Sequence, residues 1–137
     1  SRSEFHATNG NYSLKKLLIP SMYPGISFKY LYANWRGYDF LTFDVFLEGA
    51  STLPITIRIN DILHNEAYSD RYNELYTLKQ GNNTVTISLD EVRKAPLGRM
   101  MDMSHITNIC IFSYRLKEPR TLFFDNFRLE KGSGQQK

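Results

Sequence analysis

The chain has 137 residues, which fits one domain, and its 42% apolar and 23% charged residues argue against disorder. The formal charge is +3, from 17 basic and 14 acidic residues scattered along the chain, so charge alone gives little support to nucleic-acid binding. One cysteine, Cys110, excludes an intrachain disulfide and a multi-cysteine zinc site, and no apolar run approaches the length of a membrane span.

The dominant period is two. Strands are expected over residues 12–19, 26–32, 40–47, 55–61, 72–78, 84–90, 106–116 and 121–129, separated by turn signals such as Pro24-Gly25, Gly37, the stretch 49–54, Gly81-Asn82-Asn83 and Glu118-Pro119. Aromatics reach 14%, which suits strands. In 40–47 one face reads Leu41, Phe43, Val45, Leu47; in 55–59 it reads Ile55, Ile57, Ile59; in 84–90 it reads Val85, Ile87, Leu89. Such alternation gives each strand one buried and one wet face, so Leu41, Phe43, Val45, Ile57, Ile59, Val85, Ile87 and Leu89 are the expected core. A hairpin closed near Ser51 would set Val45 against Ile57, Phe43 against Ile59 and Asp44 against Arg58. The segment 89–103 is the one helix candidate, with Asp90 as N-cap, and Pro96 and Gly98 limit it to about one turn. Eight short strands predict an all-β jelly-roll β-sandwich of two antiparallel sheets. It forms a single unit over 1–130, with a polar flexible tail over 131–137.

The densest polar stretch runs from Asp61 to Asn73 and joins two predicted strands. An enzyme would use Asp61 with Asp70 or Glu66 as an acid/base pair; a metal would draw on Asp61 and His64; a sugar would stack on Tyr68 or Tyr72 and bond Asp61, Arg71 and Asn73. Alternatively, Asp70 and Arg71 pair and pin the loop. The lone Trp35 serves either as a ligand platform or as a cover for the core rim. His6 and His105 are isolated, and no nucleophile, phosphate-loop or RNA-binding signature is present. Two short glycosylation motifs occur, at Asn11-Tyr12-Ser13 and Asn82-Asn83-Thr84.

Several pieces in order resemble a known family: Trp35-x-Gly37-Tyr38-Asp39-Phe40-Leu41-x-Phe43-Asp44-Val45, Arg58-x-x-Asp61-x-x-His64, Tyr68-x-Asp70-Arg71-Tyr72-Asn73, Gly81-Asn82-Asn83-Thr84-Val85, Ala95-Pro96-x-x-Arg99-x-x-Asp102 and Leu122-Phe123-Phe124-Asp125-Asn126. Together they cover about residues 8–130 and are similar to the galactose-binding-like β-sandwich carbohydrate-binding modules, found beside agarase-type glycoside hydrolases and in bacterial surface proteins. The resemblance implies a jelly roll and a non-catalytic module that binds an oligo- or polysaccharide. Such a module is expected to be extracellular, periplasmic or on the cell surface, and monomeric. It is tethered to a catalytic or membrane-anchored domain, with no nucleic-acid partner and no membrane insertion of its own. The start, Ser1-Arg2-Ser3-Glu4-Phe5, is not a signal peptide and reads as a cut from a longer protein.

The expected sugar site comprises Trp35, Tyr38, Arg58, Asp61, His64, Tyr68, Arg71, Tyr72 and Asn73. No cofactor is required. Many such families carry a structural calcium held partly by an Asp of the last strand, and Asp125 matches that position. The alternative function is an accessory structural domain that packs on a partner and has no ligand of its own.

Overall fold

The computed structural model describes residues 2–3, 13–29, 31–32 and 34–132. Among the described residues nine strands are seen: β1 (Arg2–Ser3), β2 (Ser13–Leu18), β3 (Gly25–Lys29), β4 (Phe40–Leu47), β5 (Leu53–Asp61), β6 (Tyr72–Leu78), β7 (Gly81–Ser88), β8 (Ile106–Phe112) and β9 (Arg120–Glu130), with one α-helix, α1 (Leu89–Lys94). They form two antiparallel sheets, β1-β2-β9-β4-β7 and β3-β8-β5-β6. This is the expected all-β sandwich. His6, the first glycosylation motif and the end of the tail lie outside the described residues.

All eight expected core residues are buried, from 0% exposure at Leu41, Phe43, Val45, Ile57 and Ile59 to 3% at Ile87 and Leu89. Their strands are packed face to face, and this overturns the expected hairpin. β4 is hydrogen-bonded to β7 on one edge and β9 on the other, while β5 has β6 and β8. Both edges of each strand are therefore taken, and the chain between them crosses from sheet to sheet. Arg120 ties down that crossing: its guanidinium donates to the carbonyls of Glu48 (3.1 Å), Ser51 (2.6 Å) and Thr52 (3.3 Å). Asp44 consequently faces Thr84, whose hydroxyl donates to it at 3.0 Å, and Arg58 faces Asn73 and Cys110.

Two local expectations also change. The helix is capped by Ser88, whose hydroxyl accepts from the Glu91 N–H at 3.4 Å; Asp90 sits inside the first turn and pairs with Arg93 and Lys94. In β9 the register against β4 shifts between Thr42 and Asp44, and Asn126 adopts a positive φ of 58°. That bulge turns Phe127, three residues after Phe124, onto the core, where it stacks on Phe43 at 4.6 Å.

Candidate functional site: the outer face of the four-stranded sheet

Alternation along β5 sends Ile55, Ile57 and Ile59 inward and Thr56, Arg58 and Asn60 outward. The registers then set rows across the sheet. Gly25 meets Phe112, which meets Thr56, which meets Leu75; the next row is Ser27, Cys110, Arg58 and Asn73; the next is Lys29, Asn108 and Asn60. The surface formed is a groove of about 500 Å³ lined by Tyr23, Gly25, Ser27, Arg58, Arg71, Cys110 and Phe112, with part of Ile26. A side chain on Gly25 would meet the Ile111 carbonyl and Phe112 Cβ at 2.5 Å, so this close strand approach requires glycine.

One wall is aromatic. Tyr23 is 64% exposed and packs its ring against Phe112 (5.9 Å, edge-on) and Tyr114 (5.5 Å). The other wall is cationic. Arg71 donates through Nε to Asn73 Oδ1 at 3.0 Å and lies 5.2 Å from the Tyr68 ring centroid. Partial burial and then the nearby Arg58 charge hold the Arg71 guanidinium below its ordinary pKa. Two buried side-chain atoms on this face, Arg58 Nε and Asn108 Oδ1, have no hydrogen-bond partner within the protein. Each is a buried polar group whose lost hydration no hydrogen bond among the described residues repays.

Of the nine expected site residues, the structure brings Arg58, Tyr68, Arg71 and Asn73 to this face and sends the other five elsewhere. Asp61 is 1% exposed and serves a buried clamp. Arg99 grips both its oxygens (2.8 and 2.9 Å) and both oxygens of Asp70 (2.8 and 3.1 Å), and the Asp102 N–H adds a bond to Asp61 at 2.7 Å. Burial would push the Asp61 carboxyl up, but the Arg99 and Asp102 bonds outweigh it and hold it below the ordinary value. Asp70 is held well below that value, chiefly by Arg99. Both carboxylates are thus engaged by Arg99, and of the three acids expected to form an acid/base pair Glu66 alone stays exposed. Asp70 pairs with Arg99 and not with the neighbouring Arg71: Asp70 closes a single 3-10 turn over Tyr68–Asp70, and Arg71, where the backbone becomes extended, turns to Asn73 and the Tyr68 ring. His64 Nδ1 lies 3.0 Å from the Asp70 carbonyl and 3.3 Å from its carboxylate, inside the same clamp.

Tyr72 is 5% exposed; burial raises its pKa, and its hydroxyl meets Glu74 at 3.4 Å. Trp35 is 1% exposed, with its indole N–H on the Tyr32 carbonyl at 3.0 Å, so the ring covers the core rim and cannot act as an open platform. Tyr38 lies beside it in a separate hollow with Arg36, Leu89 and Met101.

Ser104, His105 and Asp102 also meet, but in one local turn. The Ser104 hydroxyl donates to Asp102 at 2.5 Å and lies 3.0 Å from His105 Nδ1, the same ring nitrogen that Asp102 contacts at 2.8 Å. A nucleophile and its orienting acid need opposite ring nitrogens, so this is not a catalytic triad. The bonds from Ser104 and His105 hold Asp102 at a pKa of about 2.

Asp125 accepts its own neighbour's N–H, from Asn126, at 2.7 Å, and lies across from Asp44. Among the described residues no three His, Cys, Asp or Glu side chains converge, so those residues do not make up the oxygen-rich shell that calcium needs.

The sequence reading missed Tyr23, Ser27, Asn108, Cys110, Phe112 and Tyr114. The signal was present for β8: with Ile109 and Ile111 inward, period two puts Asn108, Cys110 and Phe112 outward. Tyr23 lies before a strand, and nothing in its neighbours marks it.

Among solved structures, the chain is similar to the family 11 carbohydrate-binding module of Clostridium thermocellum in complex with a β-1,3-1,4-mixed-linked tetrasaccharide, with a TM-score of 0.72 and 15% identity over 96% of this chain and 82% of that one. It is similar to the family 30 carbohydrate-binding module of a Clostridium thermocellum cellulosomal cellulase, with a TM-score of 0.66 and 18% identity over 96% and 82%. An exo-β-agarase gives a TM-score of 0.74 and 14% identity; the match covers 96% of this chain and only 22% of the agarase. No family model and no curated protein matches the chain. At these identities the likeness establishes the fold: the chain has the β-sandwich architecture seen in carbohydrate-binding modules and in one part of agarases.

Proposed function

We propose that the protein is a non-catalytic polysaccharide-binding module whose ligand lies along the outer face of the four-stranded sheet. The observation that carries this reading is the juxtaposition on one groove of two aromatic rings, exposed Tyr23 and half-buried Phe112, with the polar side chains of Ser27, Arg58 and Arg71. Sugar rings have apolar faces that stack on aromatics and hydroxyl edges that need both donors and acceptors. Two or three such contacts at about 1 kcal/mol each, added to stacking, give micromolar to millimolar affinity. The solved modules of this fold, one of them bound to a tetrasaccharide, support the same reading.

The module acts as one unit over 1–130, monomeric, exported, and attached to a larger protein. A match spanning 22% of an agarase supports the last point. No helix among the described residues is long and apolar enough to cross a membrane. Binding requires no cofactor. A structural calcium at Asp125 would have to complete its shell with oxygens other than a third acidic side chain of the described residues. Chelation is expected to leave glycan binding intact. A melting temperature that rises with added calcium in the parent chain, but not in Asp125→Ala, would place the ion there.

The decisive test is affinity electrophoresis of the isolated chain in gels carrying mixed-linkage β-glucan, agarose or pectin. Retardation in one of them, lost in Tyr23→Ala and Phe112→Ala with the melting temperature kept, supports the module. Absence of retardation in all favours the accessory structural domain.

A further inference from the structure

We infer that the groove takes a polysaccharide bearing anionic groups, carboxylate or sulfate, with Arg58 and Arg71 as the charged end of the site. This rests on the polysaccharide reading and specifies its substrate class.

Arg58 occupies the middle of β5, itself an inner strand, and projects outward between Asn73 and Cys110. An arginine in so enclosed a place ordinarily has a carboxylate partner, since removing a guanidinium from water is costly. Here no ion pair is formed by Arg58 or Arg71 among the described residues, whereas Arg93, Arg99 and Arg128 each hold an acid and Arg120, also without one, holds backbone carbonyls. The Nε of Arg58 is buried without an acceptor. A second guanidinium, Arg71, lines the same groove, close enough for the two charges to disfavour each other.

The surrounding face deepens this imbalance. Lys29 stands one row away at the Asn108 register, exposed. The outward positions of all four strands carry no Asp or Glu; β5's own acid, Asp61, is three residues past Arg58 and turns inward to Arg99. The chain's overall charge is only +3, so the cations on this face are a local concentration and not a reflection of composition. Two planar forks on one side of a groove match carboxylate or sulfate oxygens, which accept paired N–H donors, better than neutral hydroxyls do. The adjacent rings of Tyr23 and Phe112 give a sugar backbone its stacking surface, which separates a charged glycan from a bare anion. Nucleic acid also offers anions and flat rings, but its phosphates repeat along the whole strand, whereas the groove lining itself holds two cations, Arg58 and Arg71.

The test uses matched polymers titrated calorimetrically into the whole chain at low salt: polygalacturonate against its fully methyl-esterified form, and a sulfated galactan against its desulfated form, with mixed-linkage β-glucan as neutral reference and poly(U) as a non-sugar polyanion. The expected result is binding at least about tenfold tighter to the charged member of one pair or both, which also tells carboxylate from sulfate. That preference should collapse in Arg58→Gln and, independently, in Arg71→Gln, and weaken steeply as salt is raised. Arg58→Lys should recover only part of it, because an ammonium cannot fork. Equal binding to both members of each pair, or binding of the β-glucan alone, overturns the anionic inference and leaves the polysaccharide reading standing. Poly(U) bound as tightly as the charged glycan also overturns it. No binding to any polymer removes both.

Discussion

Arg99 and the Arg58–Arg71 pair stand on the two sides of one loop and have opposite electrostatic surroundings. Arg99 holds two carboxylates, Asp61 and Asp70, with four charge-assisted bonds of 2.8 to 3.1 Å. Arg58 and Arg71 hold none and face each other. On β5 Arg58 is outward and Asp61 inward; then Asp70, closing a 3-10 turn, is buried against Arg99, and Arg71, extended just before β6, lies outward. The backbone has sorted the charges, so that Asp61 and Asp70 go to the clamp and Arg58 and Arg71 to the groove, with Glu66 left exposed in the loop. Saturated arginine marks architecture; unsaturated arginine on a concave surface marks a place for something else.

The strongest way to break the comparison is Arg99→Ala. It strands the buried Asp61 carboxylate and is expected to cost about 3–5 kcal/mol in urea denaturation. A loss below about 1 kcal/mol would make the clamp no more than an exposed ion pair. Acid gives the next effect. The carboxyls of Asp61 and Asp70 are held below their ordinary value of 3.8, so their stabilisation is complete above that value and is lost as pH falls through it. In Arg99→Gln the lowering by Arg99 is lost and Asp61 titrates higher than in the parent, with burial opposed only by the Asp102 and local backbone N–H bonds. The stability gap between parent and variant should therefore narrow as the urea midpoint is followed from pH 7 down to pH 2.

On the other side of the comparison, Arg58→Gln is expected to change stability by no more than about 0.5 kcal/mol, because it removes a charge with no partner and relieves Arg71. A large destabilisation there would show that Arg58 is held by the fold after all. The smallest effect belongs to Tyr38→Ala. Tyr38 shares the hollow beside Trp35 and not the groove, so glycan affinity should stay within about twofold of the parent, a fraction of a kcal/mol.

The sandwich was legible because period two is a one-dimensional signal: Leu41, Phe43 and Val45 announce a buried face whatever lies opposite. What lies opposite is not local. Nothing near residues 48–52 indicates that Arg120, about seventy residues later, will hold their carbonyls and carry the chain across the sandwich, so the β4–β5 hairpin was the natural and wrong expectation. The same limit explains the site. The polar stretch from Asp61 to Asn73 was rightly seen as dense, but density does not say which side each group faces or that Arg99 will claim two of its acids. Tyr23 and Phe112 are nearly ninety residues apart and become one wall through the pairing of β3 with β8.

The clamp has a kinetic consequence. Asp70 is gripped by Arg99, and Arg71 is the next residue; its side chain is further steadied by Asn73 and the Tyr68 ring. The rotamer freedom of that arginine is therefore surrendered when the chain folds, not when a ligand arrives, so less ordering entropy opposes association. Encounter with a ligand should then follow a single exponential with no slow rearrangement phase in stopped-flow mixing, and differences among ligands should reside in their rates of departure.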